Sequence, residues 1–313
     1  MSAEDINAGD EISELQDSCF FAYLDILGFK AITERSSFDR LKAIVASFVD
    51  SCAEAIDRSR RFETNAGSVY GRLDIGSKDD ELDDSEPRIK VRIVSDSIYI
   101  WTKNDDRLKQ FDDLLRVVNA MLASGFKHGL LLRGVVTFGE LFEDNSKISV
   151  DIPMEAGAIY GRALVEAYEL ESQMDWSGAI LTPKAWGKVK GEFEKAKVAG
   201  VSAVMRSGNI KAPTDLFNHF PYLLWCDVPF KGDNRRKAIA FNWNYKPGLD
   251  LSEEEIHEAF SARGGVEEQS VRSKLNETIR FYEYAQRVAE LCDFGLKKEL
   301  SVPDSTYILS VLP

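Results

Sequence analysis

Two aspartates stand inside apolar, strand-like runs, and no other feature limits the folding of this chain as tightly. The first run is Phe20-Phe21-Ala22-Tyr23-Leu24-Asp25-Ile26-Leu27-Gly28-Phe29-Lys30. The second is Val91-Arg92-Ile93-Val94-Ser95-Asp96-Ser97-Ile98-Tyr99-Ile100-Trp101. An ionised carboxylate among core residues is costly unless a cation meets it. Two of them brought together repel, and one pKa rises, unless a divalent ion lies between them. A hard, oxygen-preferring ion such as Mg²⁺, holding a substrate phosphate, suits that arrangement. The plainer alternative is that Asp25 ends a strand as a turn or cap residue and Asp96 is an ordinary hairpin-tip aspartate.

Strand and helix patterns surround the two runs. Residues 20–26 read as a buried strand, and Gly28 lets the backbone turn and approach a ligand closely. Amide groups at the next helix start would suit phosphate oxygens. Helical spacing follows at Leu41, Ile44, Val45, Phe48, Val49 and Ala53. Residues 88–94 and 97–102 read as strands joined by a tight turn at Ser95-Asp96. A second amphipathic helix covers 108–122, a strand 130–136, and a glycine-led segment at 157–171 becomes helical. Strands at 223–228 and 238–243 flank a basic loop, Phe230-Lys231-Gly232-Asp233-Asn234-Arg235-Arg236-Lys237, and helices are expected at 252–262 and 267–292. The acidic stretch at 76–87 reads as a solvated connection, and residues 1–17 as a frayed polar tail.

This order predicts an α+β fold, a mixed or antiparallel sheet flanked by helices, with a C-terminal strand-and-helix extension. The expected organisation is a tail at 1–17, a catalytic core at 18–182, and a part at 183–313 that completes or packs on the same domain.

Several chemistries are disfavoured. The net charge of −13 argues against general nucleic-acid binding. No apolar run approaches the ~20 residues of a membrane helix, and the first residues lack a secretory pattern, so a cytoplasmic protein with no membrane partner is expected. Cys19, Cys52, Cys226 and Cys292 are widely spaced and read as buried free thiols. There is no P-loop, no paired-histidine zinc motif and no nucleophile elbow.

Arginines supply candidate anion sites. Arg92 interrupts an apolar strand, as a solvent-facing edge residue or as a ligand for an anion or base. Arg133, between Leu130-Leu131-Leu132 and Gly134-Val135-Val136, takes either a carboxylate partner or a phosphate. Lys231, Arg235, Arg236 and Lys237 form a solvated loop or a triphosphate clamp.

Four segments in order resemble the catalytic domain of class III nucleotide cyclases. They are Leu24-Asp25-Ile26-Leu27-Gly28-Phe29, Val94-Ser95-Asp96-Ser97, Arg133-Gly134-Val135-Val136-Thr137-Phe138-Gly139-Glu140, and Tyr160-Gly161-Arg162-Ala163-Leu164-Val165-Glu166-Ala167-Tyr168-Glu169-Leu170-Glu171. The resemblance spans about residues 18–182. It implies that Asp25 and Asp96, with the Ile26 carbonyl, hold two Mg²⁺ or Mn²⁺ ions. It also implies a nucleoside triphosphate substrate contacted by Gly28, Phe29, Arg92 and Arg133, and a head-to-tail homodimer. Arg92 and Ala158 fall where purine cyclases carry base-selecting residues. Val165 replaces the ribose-positioning asparagine and Glu169 the transition-state arginine, a role that Arg235 or Arg236 of the basic loop is a candidate to fill.

Within that family the chain is most similar to the bacterial Pycsar pyrimidine cyclases of antiphage defence. The expected reaction is UTP to 3′,5′-cyclic UMP, because donor-only Arg92 suits the two carbonyls of uracil. A cyclic nucleotide made in that setting implies a separate effector protein that responds to it. The alternatives are a cytidylate cyclase, a purine cyclase of the same fold, or a catalytically silent nucleotide-binding regulator.

Overall fold

The computed structural model describes residues 18–65, 89–102, 108–144, 158–198, 222–232, 234–244, 251–261 and 268–293. The expected tail at 1–17 and the acidic stretch at 76–87 lie outside the described residues. Nine strands and seven helices are described. In chain order they are β1 (Ser18–Ile26), α1 (Phe29–Arg35), α2 (Phe38–Asn65), β2 (Ile89–Val94), β3 (Ser97–Thr102), α3 (Leu108–His128), β4 (Leu132–Glu140), β5 (Phe142–Asp144) and β6 (Ala158–Tyr160). After these come α4 (Arg162–Gln173), β7 (Gly178–Leu181), α5 (Pro183–Val198), β8 (Leu223–Phe230), β9 (Asn234–Phe241), α6 (Glu253–Ser261) and α7 (Gln269–Asp293).

Seven strands form one mixed sheet in the order β2-β3-β1-β4-β7-β9-β8, and β5 pairs with β6 separately. All neighbours in the large sheet are antiparallel except β4 and β7. The sheet therefore runs on across residue 182, and β8 and β9 complete the layer begun by β1.

Alternation along β1 assigns its two faces. Phe20 meets Phe111 of α3, with ring centroids 4.7 Å apart, on one face. Tyr23, three residues on and so on the opposite face, meets Tyr168 of α4 at 5.9 Å. Helix α3 turns Phe111, Leu114, Leu115, Val118 and Leu122 inward, all fully buried. On the other face α4 buries Ala163, Ala167 and Glu171, one residue per turn. Two alanines let the helix lie close to β4, and the third position on that stripe is a carboxylate.

Several elements depart from the periodicity reading. Residues 132–140 form β4, starting later and ending later than the expected strand at 130–136. Residues 158–160 are a strand before α4 begins. β7 and α5 occupy a region with no clear pattern. The expected basic loop is largely ladder: Lys231 and Gly232 form a turn after β8, residues 234–237 belong to β9, and Arg235 pairs across to Pro229.

Candidate active site

Asp25 is the penultimate residue of β1, in register with Ser97 of β3 on one side and Arg133 of β4 on the other. Directly paired residues share a face in an antiparallel ladder. Asp25, Ser97 and Arg133 therefore form one row across the sheet. Two residues back, Tyr23 lines up with Tyr99 of β3, which lines up with Arg92 of β2. This second row shares the face of the first.

Main chain brings the second aspartate to the same corner. The Ile26 N–H donates to the Asp96 carbonyl at 2.8 Å, so the end of β1 abuts the β2–β3 turn. Ser95 makes that turn with φ of 58°, and Asp96 is partly exposed beside it. Leu27 N–H bonds to the Leu131 carbonyl at 2.9 Å, which holds the chain flat until Gly28 turns it with φ of 68°. Phe29 then packs on the core from the first position of α1. Asp25, Asp96, the Ile26 carbonyl, Gly28 and Phe29 thus lie at one end of β1.

Arg133 is held from three sides. Its Nε donates to Glu171, and its Nη1 donates to the Met174 carbonyl at 2.8 Å. Nη2 lies 3.9 Å from Asp25 Oδ2, an ion pair beyond hydrogen-bond reach. The carboxylate partner offered as one reading of Arg133 is present, and it is Glu171. The Glu171 side chain is only 3% exposed. Burial pushes its carboxyl up from the usual range, the Arg133 guanidinium opposes this, and the Asp25 charge pushes it up further. Lys231, at the β8–β9 turn, lowers it again. No role for Glu171 was expected beyond its place in the motif. Its signal was the Ala163, Ala167, Glu171 stripe, which points a carboxylate down the sheet-facing side of a helix.

A tyrosine wall stands next to the aspartates. Tyr23 lies 5.7 Å from Tyr99 and 5.9 Å from Tyr168, centroid to centroid. Its hydroxyl shares a 3.2 Å hydrogen bond with Ser97 Oγ. Burial, with a contribution from the Asp25 charge, pushes the phenol up to about 12, so it stays protonated.

Arg92 and Arg235 both have carboxylate partners. Arg92 Nη2 lies 3.3 Å from Glu143 of β5, and Lys90 pairs with the same carboxylate. The Arg92 guanidinium also lies 6.0 Å from the Trp101 ring centroid. Arg235 pairs with Glu277 of α7, and β9 is separated from β1 by β4 and β7. Arg236 lies over the Phe230 ring at 4.7 Å, and Lys237 pairs with Asp227 at 2.8 Å. The structure therefore gathers Asp25, Asp96, Ile26 and Arg133, keeps Arg92 on the same face, and places Arg235 in the β8–β9 hairpin against α7.

Two carboxylates and a backbone carbonyl make an all-oxygen donor set of the kind Mg²⁺ or Mn²⁺ takes. Among the described residues no group of three or more His, Cys, Asp or Glu side chains is placed to hold a metal ion. Mg²⁺ sites commonly use one or two carboxylates and complete their shell with water and substrate phosphates, so the donors fit that pattern. Arg133 faces the carboxylates of Asp25 and Glu171.

No protein-family model matches this chain, and no curated protein matches it in sequence. No helix among the described residues is long and apolar enough to cross a membrane.

Proposed function

We propose that this chain is a nucleotide cyclase of class III type that converts UTP to 3′,5′-cyclic UMP and pyrophosphate. The observation that carries the proposal is the Ile26–Asp96 backbone hydrogen bond, which sets both aspartates at one corner of the sheet beside a glycine turn. In the reaction the ribose 3′-oxygen attacks the α-phosphorus, and the bond to the β-phosphate oxygen breaks. Pyrophosphate leaves, and the 3′-hydroxyl proton passes to solvent. Bound by Asp25, Asp96 and the Ile26 carbonyl, divalent ions would neutralise the triphosphate and activate the hydroxyl.

The chain's own residues hold and orient. Gly28 lets the backbone approach the phosphates. Tyr23, packed against Tyr99 and Tyr168, borders Asp25 and stays protonated. Arg92 offers donors to the uracil carbonyls. Val165 and Tyr168 of α4 are 55% and 57% exposed, and Val94 beside the β2–β3 turn is 54% exposed. These apolar residues next to the site support the homodimer that the resemblance implies. A role in antiphage defence, through an effector that responds to the cyclic nucleotide, belongs to the same proposal.

One observation favours a second reading. Glu169 stands at the expected transition-state arginine, and Arg235, its candidate replacement, is paired with Glu277. A silent nucleotide-binding regulator would have that arrangement.

The test is incubation of purified protein with ATP, GTP, CTP and UTP separately, with Mn²⁺, and identification of products by mass spectrometry. Cyclic UMP that disappears in Asp96→Ala is the expected result. Cyclic CMP or a cyclic purine product would reassign the base. Metal-dependent thermal stabilisation by a nucleotide without product would favour the silent binder.

A further inference from the structure

The buried pair on the far side of Asp25 has a function of its own if the metal site proposed above is correct. Arg133 pairs with both Asp25 and Glu171. Its fork is fully directed: Nε to Glu171, Nη1 to the Met174 carbonyl, and Nη2 towards Asp25 at 3.9 Å. A guanidinium is planar and rigid, so two donors fixed on one side determine where the third can go. Met174 is itself fixed, because its N–H bonds to the Glu171 carbonyl at 2.9 Å and it bridges to Phe230 of β8. The α4 C-terminus and the strand end of β8 therefore hold Arg133 at a set distance from Asp25.

We propose that Glu171 is a positioning residue that keeps Arg133 from forming a hydrogen-bonded ion pair with Asp25, so that Asp25 can serve a divalent cation. At 3.9 Å the arginine still moderates the repulsion between Asp25 and Glu171, but it does not take Asp25 lone pairs by hydrogen bonding. Without the Glu171 charge, the nearest carboxylate for Arg133 is Asp25, and a direct pair there competes with the metal. Residues that orient metal ligands from behind commonly alter metal affinity by about 10–100-fold when changed.

The experiment is titration of Mn²⁺ alone into full-length protein, followed by electron paramagnetic resonance of free Mn²⁺; nucleotide is left out because a triphosphate itself binds Mn²⁺ and is a candidate ligand of Arg133. Glu171→Gln is expected to weaken Mn²⁺ binding by about tenfold or more. Arg133→Lys should do the same, because a lysine cannot reach Glu171 and Met174 together. The double change Arg133→Met with Glu171→Leu should bind Mn²⁺ at least as well as the unaltered protein, because the competing cation is gone. A purely structural role predicts the opposite, since the double variant has lost the most interactions. Thermal unfolding without metal confirms which variants are folded.

Unchanged Mn²⁺ affinity in folded Glu171→Gln and Arg133→Lys would overturn this inference and leave the metal site standing. Mn²⁺ binding that is absent from the unaltered protein, or insensitive to Asp96→Ala, would overturn the metal site and the inference together.

Discussion

The Ile26 N–H and the Asp96 carbonyl are joined by a 2.8 Å hydrogen bond, and the side chain of Asp96 takes no part in that link. Asp96→Ala therefore leaves β1 tied to the hairpin. Its unfolding free energy should change by no more than about 0.5 kcal/mol, as for substitutions outside packed or bonded positions. Nucleotide turnover should nonetheless be lost. Urea denaturation beside the product assay separates the two effects, and a large drop in stability would mean that the carboxylate helps to build the turn.

Ser95 gives a prediction of opposite sign. Its φ of 58° is in the left-handed region, where a side chain crowds the backbone. Such residues cost about 1–3 kcal/mol, while glycine adds about 0.5–1 kcal/mol of unfolded-state entropy. Ser95→Gly should stabilise the protein by about 0.5–1 kcal/mol. The shift would be read from the denaturant midpoint at constant slope. A destabilised variant would show that the serine hydroxyl holds the hairpin.

The β1 corner was legible because its pattern is local. Apolar runs mark β1 and β3, Ser95-Asp96 marks the turn, and Gly28 marks the bend. Glu171 was harder to see because its meaning depends on Arg133, 38 residues away in sequence. β7 is four buried residues, Gly178–Leu181, too short for any period to emerge. Arg235, Arg236 and Lys237 read as loop because charge runs usually are. They form strand because β7 pairs with β9 only at Ile239 and Ala240, which leaves the basic half of β9 on β8 alone. The partners of Arg92 were hidden for the same reason as Glu171, since Glu143 lies on a separate two-stranded sheet.

His128 ties stability to pH. At the end of α3 it shares a 2.7 Å hydrogen bond with Ser51 Oγ of α2. Burial, and secondarily the adjacent Lys127, lowers its pKa below 6.5. A group with a lowered folded-state pKa adds stability above its unfolded pKa, and that stability is lost as pH falls through the folded value. The melting temperature should therefore fall as pH drops from 7 towards 5. His128→Gln should flatten that fall relative to the unaltered protein. Equal slopes in the two proteins would assign the pH dependence elsewhere.

Cysteine reactivity provides a check on the core. Cys52 and Cys226 are buried, and burial pushes both thiols up to about 12. Thiolate is the reactive form, so neither should be labelled by an aromatic disulfide reagent at pH 8. In a Cys292→Ser background, native protein should show almost no fast-reacting thiol, and denaturant should release three. Rapid labelling of Cys226 in native protein would mean that β8 opens readily.

The region beyond residue 182 is joined to α3 through a buried aspartate. Asp112 of α3 is 3% exposed and accepts two hydrogen bonds. One comes from the Tyr222 hydroxyl at 2.5 Å, the other from Arg116 Nε at 2.7 Å. Arg116 also lies over the Tyr222 ring at 5.9 Å. Tyr222 directly precedes β8, so this buried contact anchors the start of the β8–β9 hairpin on the helix that covers β1. A hydrogen bond to a charged acceptor contributes about 1.5–3 kcal/mol, and Tyr222→Phe should cost about that much. Asp112→Ala should cost more than that, because it removes both hydrogen bonds at once. Because β7, β9 and β8 belong to the same sheet as β1, both variants should shift one cooperative transition. Calorimetry showing two transitions, with only one displaced, would mean that the β8–β9 hairpin and its helices fold as a separate unit.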